Sequence, residues 1–267
     1  MVQQLRVLAA CVRLGALHRF AYRLEIATSL ISSLIVVVLN ASIWGAVVEG
    51  REQLAGMTPL QVSTYVIVAW TVTTVSATRL DEVLGNRFRS GQIAADLLRP
   101  LDLQAYLTAR DAGRALTALG VTAVPVVVLT STVFPLAWPT RLWSWLFVAV
   151  SVALAVLIGA QIAFLVGIAS FRLKNISGLA HLKATTTAVL SGAVVPLDAM
   201  PDVIRGVILA LPFQGMSHAP ASLFLERVPW TEALGILGVQ AAWVAGLWVL
   251  CRLAWRWALH HLTVQGG

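Results

Sequence analysis

Long apolar runs, separated by short clusters of charged residues, constrain this sequence more than any other feature. The first run covers residues 26–48, and a helix of about 20 apolar residues is long enough to cross the hydrocarbon core of a bilayer. Only 12% of the 267 residues are charged, whereas a soluble domain carries about 25%. So few charges cannot solvate the surface of a globular domain, and the sequence therefore predicts an all-α integral membrane protein.

The apolar runs predict six spanning helices within a single domain that covers the whole chain. The first run is too long for the core of a signal peptide, which has about 7–15 apolar residues. Residues 1–23 mix apolar and basic side chains, with Arg6 and Arg13 on one helical face, and we expect an amphipathic helix on the membrane surface there. Pro125 is expected to kink the third span. The predicted spans are residues 26–48, 60–77, 116–136, 142–171, 179–195 and 231–253.

The distribution of basic residues predicts the orientation. Fifteen of the 19 lysine and arginine residues fall before the first span, after the second and fourth spans, or after the sixth. Because cytoplasmic segments are enriched in basic residues, both termini are expected in the cytoplasm, as an even number of spans also requires. The basic residues form no continuous face, so the net charge of +7 does not indicate a nucleic-acid-binding protein.

The longest polar stretch, residues 79–114, follows the second span. Apolar residues recur at helical spacing between Ile93 and Leu98, and Pro100 would end a helix because proline disfavours α geometry in the residue before it. We therefore expect a short cytoplasmic helix between Gly91 and Pro100. The spacing is compatible with a surface gripped by a cytoplasmic partner and equally with a solvated linker helix.

Residues 196–230, between the fifth and sixth spans, contain apolar stretches that are too short to cross a bilayer. Irregular backbone exposed to lipid would leave amides unpaired, so we expect an external re-entrant hairpin packed against protein. An ordinary amphipathic surface loop is the alternative. The prolines of this segment are Pro196, Pro201, Pro212, Pro220 and Pro229.

The sequence lacks the groups that would let the chain drive transport or catalysis alone. No GxxxxGK[ST] motif for nucleotide phosphates occurs, and the predicted spans hold almost no acidic residues, which proton- or sodium-coupled transporters use as relays or ion ligands. Cys11 and Cys251 lie in apolar helical segments typical of small core residues. A gradient-driven transporter or channel and a membrane enzyme acting on lipid stay open as alternatives.

A few polar residues inside the predicted spans are candidates for lining a polar pathway. They are Gln161 in the fourth span and Thr185, Thr186 and Thr187 in the fifth. Hydrogen bonding from helix to helix is the alternative role for such groups.

The order of these elements resembles the permease subunits of ABC-2 type exporters. The stretch SGAVVPLDAMP (residues 191–201), followed by LPFQGMSHAPASLFL, is similar to the external proline-rich region of that family. The cytoplasmic stretch SGQIAADLLRPLD (residues 90–102) is similar to a segment of the subgroup that includes viologen-type and antibiotic exporters. The resemblance covers essentially the whole chain.

The resemblance implies a permease without catalytic, cofactor-binding or metal-binding residues of its own, located in a bacterial inner membrane. Two separate ATPase subunits would bind ATP and Mg²⁺, and a second permease, identical or homologous, would complete the pathway. The expected cargo is an amphiphilic or hydrophobic small molecule such as a drug or antibiotic. The implied coupling residues are Arg89, Gly91, Gln92, Asp96, Arg99 and Pro100, and the implied external-gate residues are Pro196, Pro201, Pro212 and Phe213.

Overall fold

The computed structural model describes residues 2–20, 23–98, 101–172 and 177–260, and within these ranges it contains helices and no strands. The helices are α1 (Val2–Phe20), α2 (Arg23–Val48), α3 (Pro59–Ser76), α4 (Leu80–Arg89), α5 (Gln92–Leu97), α6 (Leu103–Ala118), α7 (Val124–Ser131), α8 (Leu142–Ala169), α9 (Ser177–Leu190), α10 (Asp202–Leu209), α11 (His218–Phe224) and α12 (Trp230–His260).

In the described residues, five helical units are long and apolar enough to cross a membrane, if α3 is counted with α4 and α6 with α7. They are Arg23–Val48, Pro59–Arg89, Leu103–Ser131, Leu142–Ala169 and Trp230–His260. The fifth predicted span, at residues 179–195, corresponds to the 14-residue helix α9. This helix is roughly 21 Å long, which is less than the thickness of a bilayer core. A crossing of the membrane at residues 179–195, which would bring the number of spans to six, therefore stays a prediction.

The third long helix begins well before the predicted start at residue 116. It starts after Asp102, whose carboxylate accepts a hydrogen bond of 2.7 Å from the Ala105 amide and so caps the first turn. The predicted loop at residues 79–114 is therefore largely helical. A π turn at Leu119–Ala123 interrupts the helix just before Pro125, which has no amide hydrogen to donate to the preceding turn.

Helices α3 and α8 form the centre of the bundle. Reciprocal hydrogen bonds between Thr58 and Gln61 form a capping box at the start of α3. The largest fully buried side chains include Tyr65 of α3 and Phe164 of α8. Helices α2 and α12 lie around this centre and keep many of their large apolar side chains exposed, as helices that face lipid do.

The two ends of the bundle differ in character. At one end lie the starts of α3, α8 and α12, and we call it the hairpin end. The opposite end contains the α3–α4 junction, α5 and the start of α6. Ion pairs join Arg87 to Asp96 and Arg252 to Asp102 there, and we call it the charged end.

At the charged end, α1 packs along α6 with almost no space between the two backbones. A Cβ atom added to Gly15 would lie 1.9 Å from the carbonyl oxygen of Arg110, and one added to Gly113 would lie 1.9 Å from that of Val12. The helix predicted at residues 1–23 is therefore present, with one face covered by α6. Its position on a membrane surface stays a prediction.

Candidate functional site

The short helix α5 forms where the sequence predicted a helix, and it is attached to α4. Gly91 precedes it with a φ angle of 71°, a left-handed conformation that glycine adopts without strain. Ile93 and Asp96 are buried, and Asp96 forms an ion pair with Arg87 of α4. Leu98, at the other side of the helix end, is 88% exposed. The helix thus has an anchored inner face and an open outer face.

The predicted coupling residues divide between these two faces. Arg89, Gly91 and Gln92 are exposed, whereas the Asp96 carboxylate faces Arg87. Arg99 and Pro100 lie outside the described residues.

The break between α3 and α4 is held by charged residues from two other helices. Lys183 of α9 donates hydrogen bonds of 2.9 Å to the Thr78 carbonyl oxygen and 2.8 Å to the Asp81 carboxylate. The Thr78 hydroxyl donates over 2.7 Å to Asp111 of α6, which also pairs with Arg114. One polar network therefore joins α3, α4, α6 and α9.

The positions of these aspartates bear on the number of acidic residues in the long helices. Asp81 and Asp111 lie outside the predicted spans but inside the longer helical units Pro59–Arg89 and Leu103–Ser131. The long helical units therefore hold acidic residues that the predicted spans do not, and the small number of acidic residues within the spans themselves stays a prediction. Both aspartates lie at the charged end and are paired with basic residues, unlike the titratable groups that form relays inside the membrane.

A cavity of about 760 Å³ opens between α2, α3 and α6 at the charged end. Trp70 and Leu107 belong to its apolar wall. Its hydroxyl-bearing residues are Thr28, Ser29, Ser32, Ser33, Thr73, Thr74 and Thr78, and its charged residues are Glu25, Arg79, Arg110, Asp111 and Arg114.

Sequence reasoning missed this cavity, although α2 carries a signal for it. Four hydroxyl residues in its first half recur at positions 28, 29, 32 and 33, which is the spacing of one helical face. The strongly apolar residues around them indicate a spanning helix and hide the polar stripe.

The residues predicted to line a pathway lie away from this cavity. Gln161 is fully buried, and its side-chain oxygen accepts a hydrogen bond of 2.9 Å from Gln104 of α6. This contact is of the helix-to-helix kind that the sequence left open as the alternative. On α9, Thr185 is exposed, Thr186 is half-buried and Thr187 is buried.

The segment between α9 and α12 folds back into the bundle. The His218 amide donates a hydrogen bond of 3.0 Å to the Ser191 carbonyl oxygen, and the Ser217 and Thr73 hydroxyls are 2.6 Å apart. Counted from Pro59, Thr73 lies about 21 Å along α3. The turn of this segment is therefore deep inside the bundle, far from the hairpin end.

Polar contacts hold the two parts of this segment, which precede and follow the turn at Ser217; we call them the first and the second arm. Asp198 pairs with both Arg205 and Arg227, and the Tyr65 hydroxyl lies 3.0 Å from Nδ1 of His218. The first arm is thereby tied to the second, and the second arm is tied to α3.

At the hairpin end, Glu226 caps the start of α8. Its carboxylate accepts hydrogen bonds of 2.9 Å from the Thr140 hydroxyl, 2.8 Å from the Arg141 amide and 2.7 Å from the Ser144 hydroxyl. The slight burial of Glu226 raises its pKa, but these hydrogen bonds and the charge of Arg141 outweigh that effect and lower the pKa below its ordinary value.

The predicted gate residues are distributed along this segment. Pro196 and Pro212 are buried, whereas Pro201 is exposed. Phe213 packs against a buried apolar cluster that includes Ile158 of α8.

A comparison with protein families identifies the family of this chain. A family model described as ABC-2 family transporter protein matches residues 51–266, a range that includes α5, the α3–α4 junction and the segment between α9 and α12. A search of the curated proteins found no significant match. Because the family model covers most of the sequence, the chain belongs to the ABC-2 transporter family, whose members are membrane components of ABC transporters and not themselves catalytic.

Proposed function

We propose that this chain is the membrane subunit of an ATP-driven exporter and forms half of its translocation pathway. Family membership implies an ABC ATPase as partner; we assign two such subunits, with ATP and Mg²⁺, and a second permease that is identical or homologous. The observation that carries the proposal is α5, which is anchored on one face and apolar and exposed on the other. In this arrangement the charged end and both termini face the cytoplasm of a bacterial cell.

The exposed face of α5 is the proposed contact with the ATPase. Leu97 and Leu98 are 47% and 88% exposed, and we assign this pair of adjacent exposed apolar side chains to the contact, because contiguous exposed apolar surface marks interaction sites. Gln92 is exposed on the same short helix. Asp96 faces inward, so we assign it to positioning α5 and not to direct contact with the partner.

Packed elements continue from α5 to the segment between α9 and α12. The Arg87–Asp96 pair joins α5 to α4, and α4 lies so close to α8 that a Cβ added to Gly167 would be 2.9 Å from an α4 side chain. Lys183 joins α4 to α9, whose end meets the segment at Ser191. We propose that movement of α5 reaches the outer half of the protein along these contiguous contacts.

We assign the outer gate to residues 196–230, as a re-entrant hairpin within the membrane. Irregular backbone at membrane depth is tolerated where protein groups pair its polar atoms. In support, the carbonyl oxygens of Ser191 and Val194 accept hydrogen bonds from the His218 amide and the Trp44 indole, at 3.0 and 2.9 Å. On this proposal α9 is the inner part of the fifth predicted span. Its helix breaks within the membrane, as discontinuous helices of transporters do.

The coupling surface is tested by Leu98→Asp, compared with a charge-swapped variant, Arg87→Asp with Asp96→Arg. A charge at an apolar contact site weakens association, so Leu98→Asp is expected to insert normally, to elute as a monodisperse species in detergent, and to lose the co-purifying ATPase. The charge-swapped variant restores an ion pair between positions 87 and 96. It is expected to keep its association with the ATPase and its substrate-stimulated ATP hydrolysis.

Two results would overturn the proposal. One is normal ATPase association and transport in Leu98→Asp, which would place the coupling surface elsewhere. The other is substrate movement by the purified chain alone in liposomes under a proton gradient, which would identify a gradient-driven transporter.

A further inference from the structure

Several basic residues at the charged end differ in their partners. Four of them are paired with aspartates: Arg87, Arg114, Lys183 and Arg252. By contrast, Arg79 and Arg110 line the cavity between α2, α3 and α6 and form no ion pair with any residue that the structure describes. The positive-inside bias accounts for arginines at this end, but it does not explain why one cavity is lined by two arginines that form no ion pair with a described residue.

The acidic groups of the cavity leave an excess of positive charge. Asp111 is occupied by Arg114 and by the Thr78 hydroxyl, which leaves Glu25 as the other carboxylate that lines the cavity with Arg79 and Arg110. Arg110 is half-buried and Arg79 is exposed. Partial burial penalises an unpaired charge, so an anion beside Arg110 would stabilise it, and Arg79 supplies a second cation on the same cavity.

The rest of the cavity is suited to an amphiphile. Trp70, Leu80 and Leu107 provide apolar surface, and the hydroxyl stripe of α2 provides hydrogen-bonding groups on the facing wall. From Glu25 to Ser33 the wall rises about 12 Å into the bundle. Ligand pockets have this composition, with a mostly apolar lining and a few placed polar groups.

We infer that this cavity binds an amphiphile with an anionic group, such as a carboxylate, sulfate or phosphate, held by Arg79 and Arg110. The inference rests on the proposed exporter function and narrows its cargo to amphiphilic anions, in preference to cationic drugs. The charged group lies at the opening, and the apolar part lies against Trp70.

The test compares two fluorescent probes with the same 12-carbon chain, one ending in a carboxylate and one in a trimethylammonium group. Binding to the purified chain in a neutral maltoside detergent is measured by fluorescence anisotropy. The carboxylate is expected to bind about tenfold more tightly than the ammonium probe. Arg79→Gln and Arg110→Gln are each expected to weaken carboxylate binding about tenfold, as expected for loss of a charge-assisted hydrogen bond.

Matched variants separate the site from general charge effects. Arg51→Gln removes an exposed arginine at the other end of α2 and is expected to leave binding unchanged. Arg110→Lys keeps the charge and is expected to retain most of the affinity if Arg110→Gln loses it. Glu25→Gln removes the opposing carboxylate and is expected to tighten carboxylate binding.

Equal binding of the two probes, preference for the ammonium probe, or no effect of either arginine variant would overturn the inference. If the ammonium probe stimulates ATP hydrolysis and the carboxylate probe does not, the anion-binding inference is wrong but the exporter function is retained. Carboxylate binding by the purified chain, combined with no ATPase co-purifying from native membranes and no ATP-dependent transport, would support the anion site and refute the exporter function. Displacement of the carboxylate probe by short-chain phosphatidylglycerol, without its transport in proteoliposomes, would support the site and identify a lipid headgroup as its ligand.

Discussion

Two helix interruptions in this protein are stabilised in different ways. At the α3–α4 break, the Thr78 carbonyl oxygen accepts a hydrogen bond from the ammonium group of Lys183. At the break after α9, the Ser191 carbonyl oxygen accepts one from the His218 amide, and the Val194 carbonyl oxygen accepts one from the Trp44 indole. The first break therefore uses a charged donor and the second uses neutral ones.

The difference follows from the surroundings of each break. A charge is expensive to bury unless it is paired, and the first break lies at the end where water and counter-charges are close. The second break is enclosed by α2, α3 and α11, where neutral donors satisfy the backbone without that cost. Removal of a charged hydrogen-bonding partner should therefore reduce the stability of the folded protein more than removal of a neutral one. The following predictions test this order.

The largest effect is expected from Lys183→Met at the first break. The Asp81 side chain is 1% exposed, and removal of its partner leaves a buried, uncompensated carboxylate, at a cost of about 3–5 kcal/mol. The thermal midpoint of the purified protein in detergent should fall clearly. The double variant Asp81→Asn with Lys183→Met should recover most of this loss, and failure to recover would show that Lys183 acts mainly through Thr78.

A smaller loss is expected from Gly192→Ala at the second break. Gly192 has a φ angle of 82°, and a Cβ atom there would lie 2.7 Å from the Tyr65 hydroxyl oxygen and 2.9 Å from Leu197. Strain of this kind costs about 1–3 kcal/mol. Gly206→Ala in α10 is the control, because nothing lies within 4 Å of its added Cβ; equal midpoints for the two variants would contradict the prediction.

A weaker coupling is expected between the Ser217 and Thr73 hydroxyls, which are 2.6 Å apart. Hydrogen bonds between membrane helices contribute about 0.6 kcal/mol on average in double-mutant cycles. A cycle of Ser217→Ala and Thr73→Val, with stability measured by thermal unfolding, should give a value of this size. A coupling free energy as large as that of the Lys183–Asp81 pair would contradict the prediction that charged contacts at the first break stabilise the protein more than neutral contacts at the second.

The smallest effect is expected at Glu226, which precedes α12 and caps the start of α8. Its pKa is lowered in the folded protein, so its stabilising contribution is present above the pKa of the unfolded chain and is lost as the pH falls through the folded pKa. Glu226→Gln should reduce the acid-side loss of thermal stability slightly. The same acid sensitivity in wild type and variant would exclude this carboxylate as a source.

The sequence predicted the elements whose signals are local. Helix α8, predicted at residues 142–171, is found at Leu142–Ala169, because its apolar run lies between Arg141 and Arg172. The helix between Gly91 and Pro100 is likewise marked by a glycine and a proline, and α5 occupies Gln92–Leu97.

The polar networks could not be predicted, because their partners are distant along the chain. Lys183 and Asp81 are separated by 102 positions, and neither residue carries a local signal that identifies the other. The start of α6 was missed for a related reason, since Arg110, Asp111 and Arg114 suggest a loop until the contact between Asp111 and Thr78 is known. The cavity also requires three helices to be placed together, which periodicity alone does not do.

The close contact between α1 and α6 also bears on the order in which the protein is made. The Thr117 hydroxyl lies 3.4 Å from the Ala16 carbonyl oxygen, across 101 positions of sequence. Ribosomes add about 5–20 residues per second, so α1 leaves the ribosome roughly 5–20 s before the glycine-lined surface that receives it. During this interval the surface of α6 is not available to the apolar side chains of α1, and we expect α1 to lie on the membrane surface and to move onto α6 only after the third long helical unit has been made. The amphipathic character predicted for residues 1–23 would then describe the nascent chain better than the finished protein.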